Sequence, residues 1–252
     1  MLAVRFLAAG SILYGVLRLR GAPNPRLAEW RASGLMGVIL LNGGLGLVVF
    51  AQQWVASSLA AIIVATMPLW LALFVRLLYG ERTLRVEILG MLLGVLGVVF
   101  LNGESDLRSS PYALLVFLGP VSWAFGSAYS RKLRQPAGPM ASAVQMLAAS
   151  LGFTFLSLVT GETFAAPSTR SLLALLFLIF FGSILAFSAY VYLLAKRVRP
   201  ALATSYAYVN PLVAVGLGVG FAGESVTRSG YLGMGCIILG VALVVTVKAF
   251  RK

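Results

Sequence analysis

Tyr206 and Asn210 stand four residues apart, directly before Pro211, so a helix places them on one face, with Thr204 and Tyr208 on an adjacent one. A phenol and an amide exchange hydrogen bonds without strong acid or base character. Pro211 lacks an N–H and its ring crowds the carbonyl four residues back, that of Ala207, which leaves an acceptor for a cavity. This is the chemistry of reversible binding, not of bond making. Trp123 and Ser127 form a second such face, beside Gly126 and Ser130. Asn42, Thr66 next to Pro68, Gln145, Ser183 and Tyr190 complete the candidate solute-binding set. Each also has an ordinary explanation as an interhelical hydrogen bond, and each proline as a packing kink.

The residues that bond-making chemistry needs are missing. The chain has no histidine, and its seven acids, Glu29, Glu81, Glu87, Glu104, Asp106, Glu162 and Glu224, are expected in loops or at helix ends. No H-E-x-x-H, paired acids or nucleophile with a base stands in an apolar span, so neither an enzyme nor a metal or other cofactor is expected. The same absence leaves the spans without the usual carriers of a proton relay. Cys236, the single cysteine, excludes an intrachain disulfide and reads as a buried, passive thiol.

Three features at span ends invite a gating role. Arg5 is the one basic residue expected within a span near its outer end, where snorkelling to the surface competes with binding an anionic solute. Gly80-Glu81 and Gly223-Glu224 end corresponding helices, each as a glycine stop followed by a solvated acid or as a closing contact with Arg85 and Arg228. Gln52-Gln53-Trp54 lies at an external turn, as an interfacial tryptophan with amide neighbours or as an outer gate.

These residues must be positioned by helices in lipid. Of the 252 residues, 60% are apolar and 11% charged, against roughly half and a quarter in soluble domains. Nine apolar stretches approach the ~20 residues that cross the hydrocarbon: near 1–17, 34–53, 57–79, 86–102, 111–130, 140–160, 171–194, 201–222 and 230–247. Strand-like alternation is absent, so the expected fold is all-α and polytopic. The net charge of +13 forms no basic stripe for nucleic acid. Instead, 16 of the 20 Lys and Arg fall in alternate connections and at the C-terminus, which puts the C-terminus in the cytoplasm and Met1 outside. The first apolar run continues into Arg18 and Arg20 without a cleavage pattern and reads as retained.

The chain also repeats itself. A shift of 143 residues lays Leu59-Ala60 on Leu202-Ala203, Pro68 on Pro211, Gly80-Glu81 on Gly223-Glu224, Gly90-Met91 on Gly233-Met234 and Gly97 on Gly240. The shift covers five crossings, an odd number, so the copies are antiparallel in the bilayer, the pattern of a secondary transporter. A second frame, at a shift of 140, lays Arg5-Phe6-Leu7-Ala8-Ala9 on Gln145-Met146-Leu147-Ala148-Ala149. The expected organisation is a first repeat over 1–105 with four visible helices and a second over 111–248 with five; the helix matching 111–130 would lie before Met1. Gly90-x3-Gly94 and Gly216-x3-Gly220 are expected to let helices approach closely.

With Arg5-Phe6-Leu7-Ala8-Ala9-Gly10, Ala65-Thr66-Met67-Pro68-Leu69, Gly80-Glu81-Arg82, Ser122-Trp123-Ala124-Phe125-Gly126-Ser127, Tyr206-Ala207-Tyr208-Val209-Asn210-Pro211 and Gly223-Glu224, the chain resembles the EamA-type permeases of the drug/metabolite transporter superfamily. The resemblance implies ten helices in two inverted halves, a central cavity, a tryptophan at the position of Trp123 lining the pathway, and export of small metabolites, amino acids or drugs. It also favours a bacterial inner membrane. The expected partners are a small solute and the lipid bilayer. Alternating access driven by the solute gradient or by exchange is the expected mechanism, with a channel and a lipid-linked-sugar flippase as alternatives.

Overall fold

The computed structural model describes residues 1–55, 57–102, 112–162, 167–222 and 227–246, and the regular elements among them are all helical. They are α1 (Leu2–Leu19), α2 (Leu27–Ala51), α3 (Ser57–Ala65), α4 (Met67–Tyr79), α5 (Arg85–Asn102), α6 (Ala113–Tyr129), α7 (Pro139–Val159), α8 (Thr169–Ala195), α9 (Pro200–Ala203), α10 (Tyr206–Ala222) and α11 (Arg228–Thr246), with a 3-10 turn at Ser130–Lys132. Among the described residues, seven helical stretches are long and apolar enough to cross a membrane: Leu2–Leu19, Leu27–Ala51, Leu59–Tyr79, Ala113–Lys132, Pro139–Val159, Thr169–Ala195 and Arg228–Val245. The predicted spans near 86–102 and 201–222 are helical too, the latter interrupted between α9 and α10.

Two helices start earlier than the apolar runs suggest, because their caps are polar. The Arg26 N–H donates to the Glu29 carboxylate at 2.8 Å, so α2 begins at Leu27 rather than near residue 34. The Ser168 hydroxyl accepts from the Ser171 N–H and starts α8. Gly80 ends α4 with φ of 69°, which its missing Cβ permits, and its N–H reaches the Arg76 carbonyl at 2.9 Å.

The exposed surface is apolar. On α8, Leu173, Phe177, Phe181 and Leu185 recur every fourth residue at 55–63% exposure, while Ile179, Ser183 and Phe187 are buried. A stripe of leucine and phenylalanine at that spacing belongs against acyl chains, and the small and polar residues form the helix contacts.

The chain divides into two compact units, Met1–Gly46 with Tyr129–Arg197, and Leu47–Ala128 with Val198–Lys252. In the first, α7 is central. Gly10 of α1 lies against Leu147, Phe6 stacks on Phe153 at 5.7 Å, and a Cβ on Gly37 of α2 would overlap the Gln145 carbonyl. In the second, α5 and α11 meet through glycine: a Cβ on Gly90 would lie 2.7 Å from the Gly240 carbonyl oxygen, and one on Gly97 2.7 Å from that of Gly233. Gly94 holds the Tyr208 ring, whereas Gly216 and Gly220 are exposed and no atom of the described residues lies near a Cβ added to either.

Two helices carry long π-helical stretches, Val38–Gly46 in α2 and Leu178–Phe187 in α8. Wider i→i+5 turns are rare and tend to mark functional sites. Asn42 lies in the first stretch and Ser183 in the second.

Candidate functional site

The first unit holds Arg5, Asn42, Gln145, Ser183 and Tyr190 of the predicted set. The Arg5 Nε donates to the Ser183 Oγ at 2.9 Å, and Ser183 is fully buried. Gly182 makes room for this, since a Cβ there would stand 2.8 Å from the Arg5 Nη2. Snorkelling is thereby corrected: the guanidinium turns into the α1–α8 packing, where Ser183 supplies an acceptor that the lipid boundary lacks.

Asn42 meets α7. Its Nδ2 donates to the Ala149 carbonyl at 3.1 Å, its amide lies against Gly152, and its Oδ1 is buried without a hydrogen-bond partner among the described residues. Gln145, 1% exposed, donates from Nε2 to the Gln135 Oε1 at 2.7 Å. Tyr190 is buried in the last turns of α8.

The second unit holds the remainder that can be described. Its helices break twice. Thr66 separates α3 from α4, its hydroxyl donating to the Ile63 carbonyl at 2.6 Å and accepting from the Trp70 Nε1 at 3.2 Å. Pro68 therefore opens α4 instead of kinking a helix, because a first-turn proline gives up an N–H that has no intrahelical acceptor. Thr204 and Ser205 separate α9 from α10, so Thr204 does not share a continuous helix with Tyr208; Pro211 lies inside α10. Such discontinuous helices are recurrent in transporter binding sites.

Around the second break, Tyr206 and Asn210 are both exposed on α10, on one face as their spacing requires. Tyr208 points the other way: it is 1% exposed, its ring packs on Gly94 and its hydroxyl donates to the Met91 carbonyl at 3.1 Å. Ser127 is buried and donates to the Trp123 carbonyl at 2.6 Å, one turn back on α6. Trp123 packs on a cluster that includes Met67, Leu71, Ala124 and Ala207. Glu81 is exposed beyond the Gly80 stop, and Glu224 lies outside the described residues. Trp54 stacks on Tyr112 at 4.4 Å and meets the edge of Phe50 at 5.1 Å, an aromatic cluster at the Gln52-Gln53-Trp54 turn.

Two features escaped the sequence. Glu87 stands at a helix end as expected, third in α5, and is 3% exposed; its carboxylate accepts from the Leu84 N–H at 2.9 Å and takes Arg199 on both oxygens, at 3.1 and 3.2 Å. The only hint was an acid in a helix's first turn, and 112 residues separate the partners. Cys236 is half-buried rather than buried, because α11 spends its close face on glycine contacts. Among the described residues no cluster of His, Cys, Asp or Glu could hold a metal.

The model of the EamA-like transporter family matches residues 1–103 and 110–246. The chain belongs to that family. It is 44% identical over 247 residues to YedA of Escherichia coli, described as an uncharacterized inner membrane transporter, covering 97% of this chain and 80% of that one. The uncharacterized transporter YvbV of Bacillus subtilis is 27% identical over 256 residues, with 96% and 81% coverage. A crystal structure at 20% identity superposes with a TM-score of 0.82 over 100% of this chain and 88% of that one, a likeness in fold.

Proposed function

We propose that this protein exports small metabolites, amino acids or drugs across a bacterial inner membrane by alternating access of two inverted repeats, 1–105 and 111–248, with nine membrane crossings and a cytoplasmic C-terminus. The carrying observation is the reciprocal glycine pairing of α5 and α11. Gly90 and Gly233 are equivalent in the 143-residue frame, as are Gly97 and Gly240, and Gly90 touches Gly240 while Gly97 touches Gly233. Exchanged contacts of this kind are what a two-fold between antiparallel copies produces. The π-helical stretches support the same reading, since Val38 falls on Leu178 in the 140-residue frame.

The solute-contacting residues in this reading are Asn42, Thr66, Trp123, Ser127, Gln145, Ser183, Tyr190, Tyr206 and Asn210, whereas Tyr208, first of interest for the same role, packs on Gly94 and is held at the Met91 carbonyl. Arg5, Glu81 and Glu224 serve in gating, and the helix turns near Pro68 and Pro211 present backbone acceptors. A neutral lining of aromatic and amide groups binds amphipathic solutes reversibly, and Glu87, the acid buried at a span end among the described residues, is held by Arg199.

Counterflow in proteoliposomes tests this. Vesicles loaded with unlabelled phenylalanine or ethidium are diluted into the labelled compound. A transient overshoot supports a carrier; flux that rises linearly with concentration and shows no overshoot marks a channel and overturns the proposal.

A further inference from the structure

Deepening the transporter reading, and resting on it, we propose that the Arg5 guanidinium is an anion site that takes the carboxylate or phosphate of a bound molecule inside the membrane. The gating role of Arg5 thereby acquires a ligand.

Depth sets the demand for an anion. Ser183, which accepts from the Arg5 Nε at 2.9 Å, follows the middle residue, Gly182, of the 27-residue helix Thr169–Ala195. At 1.5 Å per residue either end of that helix is roughly 20 Å away, so the charge lies within the hydrocarbon and not at its rim. A cation at that depth pairs with an acid or marks a functional site. Arg5 has no acid among the described residues. In its own unit Glu29 caps α2 at the Arg26 N–H, and Glu162 takes the Ser157 hydroxyl.

The donors left over define the ligand. The Nε is spent on Ser183, and the two Nη groups have no hydrogen-bond partner among the described residues. The guanidinium is otherwise held in place. Its Cζ stands 5.1 Å from the centroid of the Phe6 ring, which is itself stacked on Phe153, and Gly182 leaves room at Nη2, where a Cβ would stand at 2.8 Å. The side chain is only half-buried, so part of it stays open to a ligand. A fixed, planar fork of two Nη groups matches two oxygens of a carboxylate or phosphate.

Packing does not ask for this charge. In the 140-residue frame the residue equivalent to Arg5 is Gln145, a neutral amide that is 1% exposed. Gly182 and Ser183 also lie in the π-helical stretch Leu178–Phe187, the kind of irregularity that gathers at functional sites. The depth favours a solute over a lipid headgroup, whose phosphate lies at the edge of the hydrocarbon.

The test uses the purified full chain in dodecyl maltoside, an uncharged detergent, with lipid removed. Thermal unfolding is followed at constant ionic strength against sodium benzoate, against benzamide, which has the same ring without the charge, and against dihexanoylphosphatidylglycerol. A ligand of the folded protein raises the midpoint saturably. Benzoate should do so and benzamide should not. Arg5→Gln, which keeps a donor for Ser183, should need about tenfold more of the anion for the half-maximal shift. Gly182→Ala, whose methyl displaces Nη2, should weaken the anion in the same direction and decides the matter where Arg5→Gln does not fold. The anion with the lower half-saturating concentration names the source, benzoate a solute carboxylate and the short-chain lipid a headgroup phosphate. No shift with either anion, benzamide matching benzoate, or shifts that neither variant weakens would overturn the proposal. Counterflow without Arg5-dependent anion binding would sink the anion site alone, and such binding without counterflow would sink the transport reading alone.

Discussion

Gly90 and Gly240 touch backbone to backbone: a Cβ on Gly90 would lie 2.7 Å from the Gly240 carbonyl oxygen, and one on Gly240 2.6 Å from that of Gly90. Neither contact can be relieved by moving a side chain, since both partners are main-chain atoms. Gly90→Ala or Gly240→Ala must therefore push α5 and α11 apart, at a cost of about 1–3 kcal/mol, the usual range for overpacking. Gly216→Ala and Gly235→Ala, where no described atom lies within 4 Å of the new methyl, should leave stability unchanged or slightly raised. Thermal unfolding of the purified protein in detergent measures all four. Equal midpoints would remove the glycine contact as the basis of the α5–α11 pair.

Repetition made this contact legible in outline. The 143-residue frame pairs Gly90 with Gly233 and Gly97 with Gly240, but only the structure shows that each glycine touches the partner of the other. Apolar runs likewise located helices, since lipid leaves the backbone no alternative. They misplaced the start of α2, where Glu29 caps a turn that hydropathy scores as polar. Side-chain direction was the least legible property. Tyr206 and Tyr208 are two residues apart and looked equally available, yet one is exposed and the other is spent on the Met91 carbonyl. A helical pattern says which residues share a face, not which neighbour a face meets.

Glu87 and Arg199 should be strongly coupled. Removing either partner leaves the other incompletely neutralised, and loss of Glu87 also uncaps the Leu84 N–H. Breaking a buried pair costs about 3–5 kcal/mol, and because Arg199 is 33% exposed the lower end applies to Glu87→Ala. Arg199→Met should cost more, since it strands a carboxylate that is only 4% exposed. Combining Glu87→Gln with Arg199→Met should recover much of the loss. Additive losses in a double-mutant cycle would show that the pair carries no coupling.

Thr66 holds the first helix break with both roles of its hydroxyl. Thr66→Val keeps the shape, removes the donor to Ile63, and leaves the Trp70 indole N–H without its acceptor. The expected loss is about 1–3 kcal/mol, mostly the unsatisfied donor. Trp70→Phe in the same chain should restore part of it by removing that donor. If Trp70→Phe instead deepens the loss, the tryptophan acts at the break through packing alone.

Transport and stability should separate along α10. Asn210 is exposed, shares its face with Tyr206 and stands beside Pro211, so Asn210→Ala removes an amide that packing does not use. Its expected signature is a fall in counterflow of about tenfold, the rate equivalent of ~1.4 kcal/mol, with unchanged protein in the membrane. Trp123→Ala should lower flux as well, but with some loss of stability, because its ring rests on the Met67, Leu71 and Ala124 cluster. Tyr208→Phe provides the contrast. It deletes only the hydroxyl that donates to Met91, so it should lower the unfolding midpoint by an amount equivalent to about 1 kcal/mol and leave the solute preference alone. Normal counterflow in both Asn210→Ala and Trp123→Ala would show that the solute passes elsewhere. An altered preference in Tyr208→Phe would mean that its hydroxyl leaves the Met91 carbonyl during the transport cycle and meets the solute directly.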